Sequence, residues 1–213
     1  MHSLTRRAFY LAICLSALAG CVDAIGFLYL GGHFISFMSG NSTQLAVSLV
    51  SDNIHGVALL AEILALFVIG TTLGTLVRHF SKPLAAEATV IAFVALLLFA
   101  AVLCHGIGFD RLTIIFMTLA MGAENAVFQR NGDVVIGLTY MTGTLVKVGQ
   151  RLAHTLLGGK KFAWLPYFLL WLGLILGGVA GAVLFHFIGL QSLWIAAIWA
   201  GALSLIARFS NFS

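Results

Sequence analysis

The 213-residue chain is 61% hydrophobic and only 8% charged, where an ordinary soluble domain carries about 25% charged residues, so a water-soluble fold is excluded and a polytopic membrane protein is implied. Its formal net charge of +4 arises from eleven Lys and Arg scattered at segment ends. They form no basic face interleaved with aromatics, which argues against nucleic acid as a partner. Cys14, Cys21 and Cys104 have neither CxxC nor zinc spacing and read as packed thiols, so no metal is expected.

At the N-terminus, Arg6-Arg7, an apolar run and Leu18-Ala19-Gly20-Cys21 imitate a lipoprotein signal with Cys21 as the lipidated residue. The apolar stretch continues through Phe27-Leu28-Tyr29-Leu30, however, giving about 23 residues, the span of a bilayer core. Six segments are long and apolar enough to cross: 8–30, 54–77, 88–105, 112–129, 163–188 and 190–207. Two more, 39–50 and 144–157, are short helical patterns, the second carrying Lys147, Arg151 and His154 on one face. If neither crosses and the N-terminus is cytoplasmic, then Arg6, Arg7, Arg78, Lys82, Arg130, Lys147, Arg151, Lys160, Lys161 and Arg208 lie inside. Only Arg111 lies outside, so ten of eleven obey the positive-inside rule. Letting both short segments cross leaves six obeying.

The chain also repeats itself. Gly20-Cys21-Val22-Asp23-Ala24 and Phe37-Met38-Ser39-Gly40-Asn41 are echoed by Gly122-Ala123-Glu124-Asn125-Ala126 and Tyr140-Met141-Thr142-Gly143-Thr144. The second motif recurs at an offset of 103, and the same offset carries Gly70 and Gly74 onto Gly173 and Gly177. Three spans per copy is an odd number, which makes the copies inverted: an all-α membrane protein of six transmembrane helices in two inverted three-helix repeats, about 8–106 and 111–208, within one membrane domain. Each repeat has an extra short helix after its first span, either a half-helix entering the bilayer or an interfacial helix lying on it.

Met-Ser-Gly and Met-Thr-Gly supply a hydroxyl residue suited to an N-cap and a glycine permitting close approach, just before each short helix. A helix start inside a membrane presents free N–H groups and partial positive charge, and two such starts, one from each side, make a site for an anion, a carboxylate or a neutral polar solute. The substrate-binding candidates are therefore Met38, Ser39, Gly40, Asn41, Met141, Thr142, Gly143 and Thr144, together with Asp23, Glu124 and Asn125 from the first motif. Asp23 and Glu124 flank the midplane of oppositely running spans, where an acid needs a partner or a wet cavity. Glycines at 70, 74, 173, 177 and 181 recur every four residues and read as close helix packing, between halves or at a dimer seam.

The combination of Val22-Asp23-Ala24, Phe27, Gly31, Phe37 to Asn41, Met121 to Ala126 and Thr139 to Thr144 resembles the YoaK family of bacterial membrane proteins, over essentially the whole chain. The resemblance implies an inner-membrane location but no substrate, since that family's function is unknown. It also implies glutamine more often at position 124, which moves weight from Glu124 to Asp23. No HExxH, GxSxG, Walker or Rossmann pattern is present, so neither an enzyme nor a cofactor is expected. The reading is a secondary carrier for a small polar solute, with Asp23 as its binding or proton-coupling group and a channel or a non-transporting accessory protein as alternatives. Cysteines introduced at Asp52 and Asp110 should label from outside the cell, and those at Lys82 and Lys160 only after permeabilisation; external labelling at Lys82 would overturn the inverted arrangement.

Overall fold

A computed structural model describes residues 5–130, 133–134 and 136–209. Among them are eight α-helices: α1 (Arg6–Tyr29), α2 (Met38–Val50), α3 (Ile54–Phe80), α4 (Ala86–Gly106), α5 (Asp110–Glu124), α6 (Met141–Leu156), α7 (Leu165–Ile188) and α8 (Leu193–Phe209). The all-α expectation holds apart from a two-residue antiparallel pair, β1 (Gln129–Arg130) and β2 (Asp133–Val134). Four stretches are long and apolar enough to cross a bilayer: Arg6–Tyr29, Ile54–Phe80, Pro83–Gly106 and the 45-residue Leu165–Phe209, which contains both α7 and α8. The fourth expected span, 112–129, is shorter than the sequence suggests, because α5 stops at Glu124 and the chain turns before reaching Gln129. The chain ends, expected on the cytoplasmic side, include residues 1–4 and 210–213, which lie outside the described residues.

Local chemistry sets the boundaries. Thr5 caps α1 through its hydroxyl, which accepts from Ala8 N–H at 3.3 Å, and Asn53 caps α3 by accepting from Gly56 N–H at 3.0 Å. Helix α1 ends where Gly31 and Gly32 adopt φ of +65° and +112°, a conformation open to glycine that turns the chain back towards the bundle.

Helix directions follow from the contacts. Gly173, Gly177 and Gly181 of α7 lie against Ile13, Ala17 and Cys21 of α1, so the two helices run parallel. Gly70 and Gly74 of α3 lie against Leu119 and Ala123 of α5, again in parallel. Trp194 meets Phe99 with ring centroids 5.8 Å apart and Ser204 Oγ donates to Ala88 O at 2.9 Å, so α8 runs antiparallel to α4. One end of the bundle therefore gathers the starts of α1, α4 and α7 with the ends of α3 and α8, and with them Arg7, Lys82, Lys160, Lys161 and Arg208. The other end holds Arg111, bonded to Glu62 at 3.2 Å, and the His105–Asp110 pair at 3.0 Å.

The glycine pattern corrects the sequence alignment. Leu119 and Ala123 stand in α5 where Ala17 and Cys21 stand in α1, at the offset of 102 that relates Asp23 to Asn125. Gly70 thus plays the part of Gly177, and Gly74 that of Gly181, an offset of 107 and not 103. The connection between α6 and α7, residues 157–164, is longer than that between α2 and α3, residues 51–53, and it moves α7 on by about one turn. The core is sealed by polar links as well: Ser16 Oγ donates to Leu170 O at 3.0 Å and Thr71 Oγ1 to Gly122 O at 3.1 Å, tying the two parallel pairs.

A methyl at Gly177 would collide with the carbonyl of Ala17, which is backbone and cannot move aside, whereas one at Gly201 meets open space. Gly177→Ala should destabilise the protein by about 1–3 kcal/mol through overpacking, while Gly201→Ala stays within about 0.5 kcal/mol of the parent. Thermal unfolding followed by tryptophan fluorescence in detergent distinguishes them, and equal midpoints would refute the close α1–α7 contact.

Candidate functional site

Past Tyr29 the chain leaves helical geometry and returns along α1. Ile35 and Ser36 N–H groups both donate to Asp23 Oδ1, at 2.8 and 2.7 Å. Asp23 lies six residues, about 9 Å, before the end of α1, so the loop is pulled that far into the bundle before α2 begins. Other side chains brace the same loop. The buried Asn41 accepts from Phe34 N–H at 3.0 Å and donates to Phe34 O at 2.6 Å, while Gln44 Nε2 donates to Gly32 O at 3.0 Å and its Oε1 lies 2.6 Å from His33 Nδ1.

At the second motif the same problem is solved with neutral groups. Asn125 Oδ1 accepts from Thr139 Oγ1 at 3.1 Å, and its Nδ2 donates to Met121 O at 3.0 Å. Thr139 occupies the position of Ser36, so the segment before α6 is also held at the depth of the first motif. Thr144, largely buried, turns its hydroxyl to Tyr140 O at 3.3 Å.

Both short helices start beside one cavity of about 270 Å³. Ser36, Phe37, Met38 and Ser39 line it from the first copy, and Thr139, Tyr140, Met141, Thr142 and Gly143 from the second. Phe67, halfway along α3, completes the wall and places the cavity near mid-depth of the bundle. Sequence reasoning missed Phe67, one apolar residue among many in its span. From this cavity α2 runs to the end that holds Arg111, and α6 runs to the end that holds Lys160.

Three expectations about these residues change. Ser39 and Thr142 are not N-caps: Phe37 and Tyr140 hold those positions without a side-chain hydrogen bond, which puts both hydroxyls inside the first helical turn. The two motif glycines differ as well. A Cβ on Gly40 would stand 2.5 Å from the Phe37 ring and 3.2 Å from the Phe34 ring, whereas one on Gly143 meets nothing within 4 Å. Thirdly, neither acid lines the shared cavity. Asp23 borders a separate apolar cleft of about 430 Å³ between α1 and α7, with Phe27, Phe34 and Leu174, and meets the shared cavity through the backbone of residues that line it, Ser36 among them. Glu124 is completely buried, and its carboxylate oxygens have no hydrogen-bond partner among the described residues. Asn41, Asn125 and Thr144 likewise stand behind the wall as braces. Glu62 is accounted for by its pairing with Arg111.

The cavity's chemistry is uniform. Four hydroxyl residues, two methionines and three aromatics face it, with no charged side chain. Among the described residues no group of three or more His, Cys, Asp or Glu is placed to hold a metal ion.

An all-helical integral membrane protein in which two short helices start beside one cavity lined by hydroxyl and apolar side chains is the class these features define. The chain belongs to the family described as protein of unknown function DUF1275, which it matches over residues 11–206. It is similar to the UPF0700 transmembrane protein RA0705 of Rhizobium meliloti (strain 1021), 36% identical over 197 residues covering 92% of this chain and 84% of that protein. It is also similar to the UPF0700 transmembrane protein YoaK of Bacillus subtilis (strain 168), 29% identical over 170 residues, or 73% of this chain and 71% of the relative. No solved structure matches.

If Asp23 holds the loop by accepting two amides, Asp23→Asn keeps one acceptor and should cost about 1–2 kcal/mol. Asp23→Ala leaves two amides unpaired and should cost about 3 kcal/mol or more. Equal thermal midpoints for the two variants would show that the carboxylate does not anchor residues 35–36.

Proposed function

We propose that this protein is a secondary carrier for a small polar solute, built from two three-span repeats inserted in opposite orientations in the bacterial inner membrane. The observation that carries the reading is the single cavity to which Met-Ser-Gly and Met-Thr-Gly both contribute. Two lesser features support it. The α1–α7 and α5–α3 pairs use the same parallel glycine contact, and α2 and α6 leave the cavity towards opposite ends of the bundle. Non-helical backbone at membrane depth is tolerated where it is buried in protein or lines a wet cavity, and transporters place their sites at such breaks.

In this reading the solute sits among Ser36, Ser39, Thr139 and Thr142, its polar atoms met by hydroxyls and by first-turn amides of α2 and α6, its apolar part by Phe67, Met38 and Met141. A cavity of about 270 Å³ lies just below the usual range of ligand sites, about 300–1,000 Å³, which favours a compact solute. The absence of charged lining selects a neutral solute or one whose negative charge the helix dipoles stabilise. Asp23 is the coupling group: protonating it weakens the acceptor that holds Ile35 and Ser36, and so loosens one wall of the cavity.

Proteoliposomes loaded with candidate solutes test the proposal by counterflow, which a carrier shows and a channel does not. Gly143→Val adds bulk where the structure leaves open space, so it should abolish uptake while the thermal midpoint stays near that of the parent. Thr142→Val should lower uptake by about tenfold, the loss of one hydrogen bond. Undiminished uptake in Gly143→Val would remove the cavity from the transport path, and pH-driven accumulation persisting in Asp23→Asn would remove Asp23 from coupling.

A further inference from the structure

The net positive charge of this chain lies late in the sequence. No acid follows Asp133 in the sequence, whereas Lys147, Arg151, Lys160 and Lys161 all do. Among the described residues the ion pairs are Arg78–Glu87, Arg111–Glu62 and His105–Asp110, and none of them involves these four cations.

The fold gathers them and fixes their backbone. Gly159 N–H donates to His154 O at 2.8 Å, Thr155 Oγ1 to Lys160 O at 3.1 Å and Trp164 Nε1 to Lys161 O at 3.2 Å, pinning the α6–α7 connection at three points. Arg151, Lys160 and Lys161 then share one cavity of about 560 Å³, walled by Phe162, Pro166 and Tyr167. Lys147, one turn before Arg151, stands over the Tyr167 ring at 5.7 Å from its centroid. Three like charges gathered around one cavity make it a region of positive potential that attracts an anion. Apolar side chains here are bare: Phe162, which lines the cavity, is 70% exposed, and Leu156 and Leu157, at the end of α6 where the connection begins, are 88% and 84% exposed. Trp164 and Tyr167 beside it are the residue types that settle at a membrane–water boundary.

We infer that the groove formed by Arg151, Lys160 and Lys161 against the start of α7 binds the headgroup phosphate of an anionic phospholipid. Arg151 offers a planar fork to two phosphate oxygens and the lysines act as point charges beside it. Leu157 and Phe162 lie along the lipid's apolar portion. That exposed apolar rim selects a lipid over a soluble phosphate, which has no use for it. The inference stands apart from the carrier reading, because the groove lies at the end of the bundle and not at its central cavity.

The test uses the full chain in mixed micelles of a neutral detergent and phosphatidylcholine, titrated with dioleoylphosphatidylglycerol. Thermal midpoint and lipid retention by native mass spectrometry are the readouts. Phosphatidylglycerol should raise the midpoint and remain bound, and further phosphatidylcholine should do neither. The triple variant R151Q/K160Q/K161Q should weaken phosphatidylglycerol binding by about 100-fold, whereas R6Q/R7Q/K82Q, which removes equal charge elsewhere at the same end, should change it less than about threefold. Should the triple variant fail to fold, K160Q and K161Q singly, both on the exposed connection, should each cost about fivefold. Unchanged affinity in the triple or in both single variants overturns the inference. So does an equal loss in the control variant, or stabilisation by inorganic phosphate matching that of the lipid.

Discussion

Everything distinctive about this molecule depends on where the amides of Ile35 and Ser36 find an acceptor. A chain that leaves helical geometry in an apolar interior exposes N–H groups whose desolvation costs several kcal/mol each if they stay unpaired. Asp23 takes both of them, Asn41 satisfies both backbone groups of Phe34, and Gln44 reaches Gly32 O. Those bonds fix how deep α2 begins. The depth of α2 in turn decides that Ser39 faces Thr142 and Gly143 across a cavity, where a shallower start would leave it at the bundle's edge. The second copy reaches the same depth with Asn125 and Thr139, an arrangement without charge.

Much of this was legible in the residues, and the parts that were not share a physical cause. The two breaks were readable because Met-Ser-Gly and Met-Thr-Gly stand out against continuous apolar runs, and the glycine faces because a period of four survives any neighbouring sequence. Direction of approach was not readable. An intramembrane aspartate looks the same in sequence whether its carboxylate meets solute or its own backbone, and Asp23 meets its own backbone. Likewise, Gly40 and Gly143 are equivalent in the motif, yet one packs under aromatic rings and the other opens on a cavity. The alignment of Gly70 with Gly173 failed because register along a helix is set by contact with its partner and by loop length, neither of which a fixed offset records. Phe67 carried no signal at all, since in a lipid-embedded helix phenylalanine is as ordinary outside the core as within it.

The polar features divide the molecule by depth. At the centre, hydroxyls and helix starts line a cavity, with the charged group one bond removed from its wall. At one end, cations without an ion-pair partner among the described residues stand beside exposed apolar side chains. Keeping these apart has an energetic logic. A fixed charge lining the central cavity would have to be desolvated there, whereas charge at the boundary is hydrated and costs little.

The parallel glycine contacts also impose a timetable. Ile13 and Gly173 touch although about 160 residues separate them, and α1 emerges from the ribosome on the order of ten seconds before α7 exists. During that interval the small-residue flank of α1, shaped to meet another backbone at close range, is without its α7 partner. Helix α3 waits much less for α5, since Gly70 and Leu119 are 49 residues apart. The α3–α5 contact can therefore form while synthesis continues, whereas the α1–α7 contact waits for the last third of the chain.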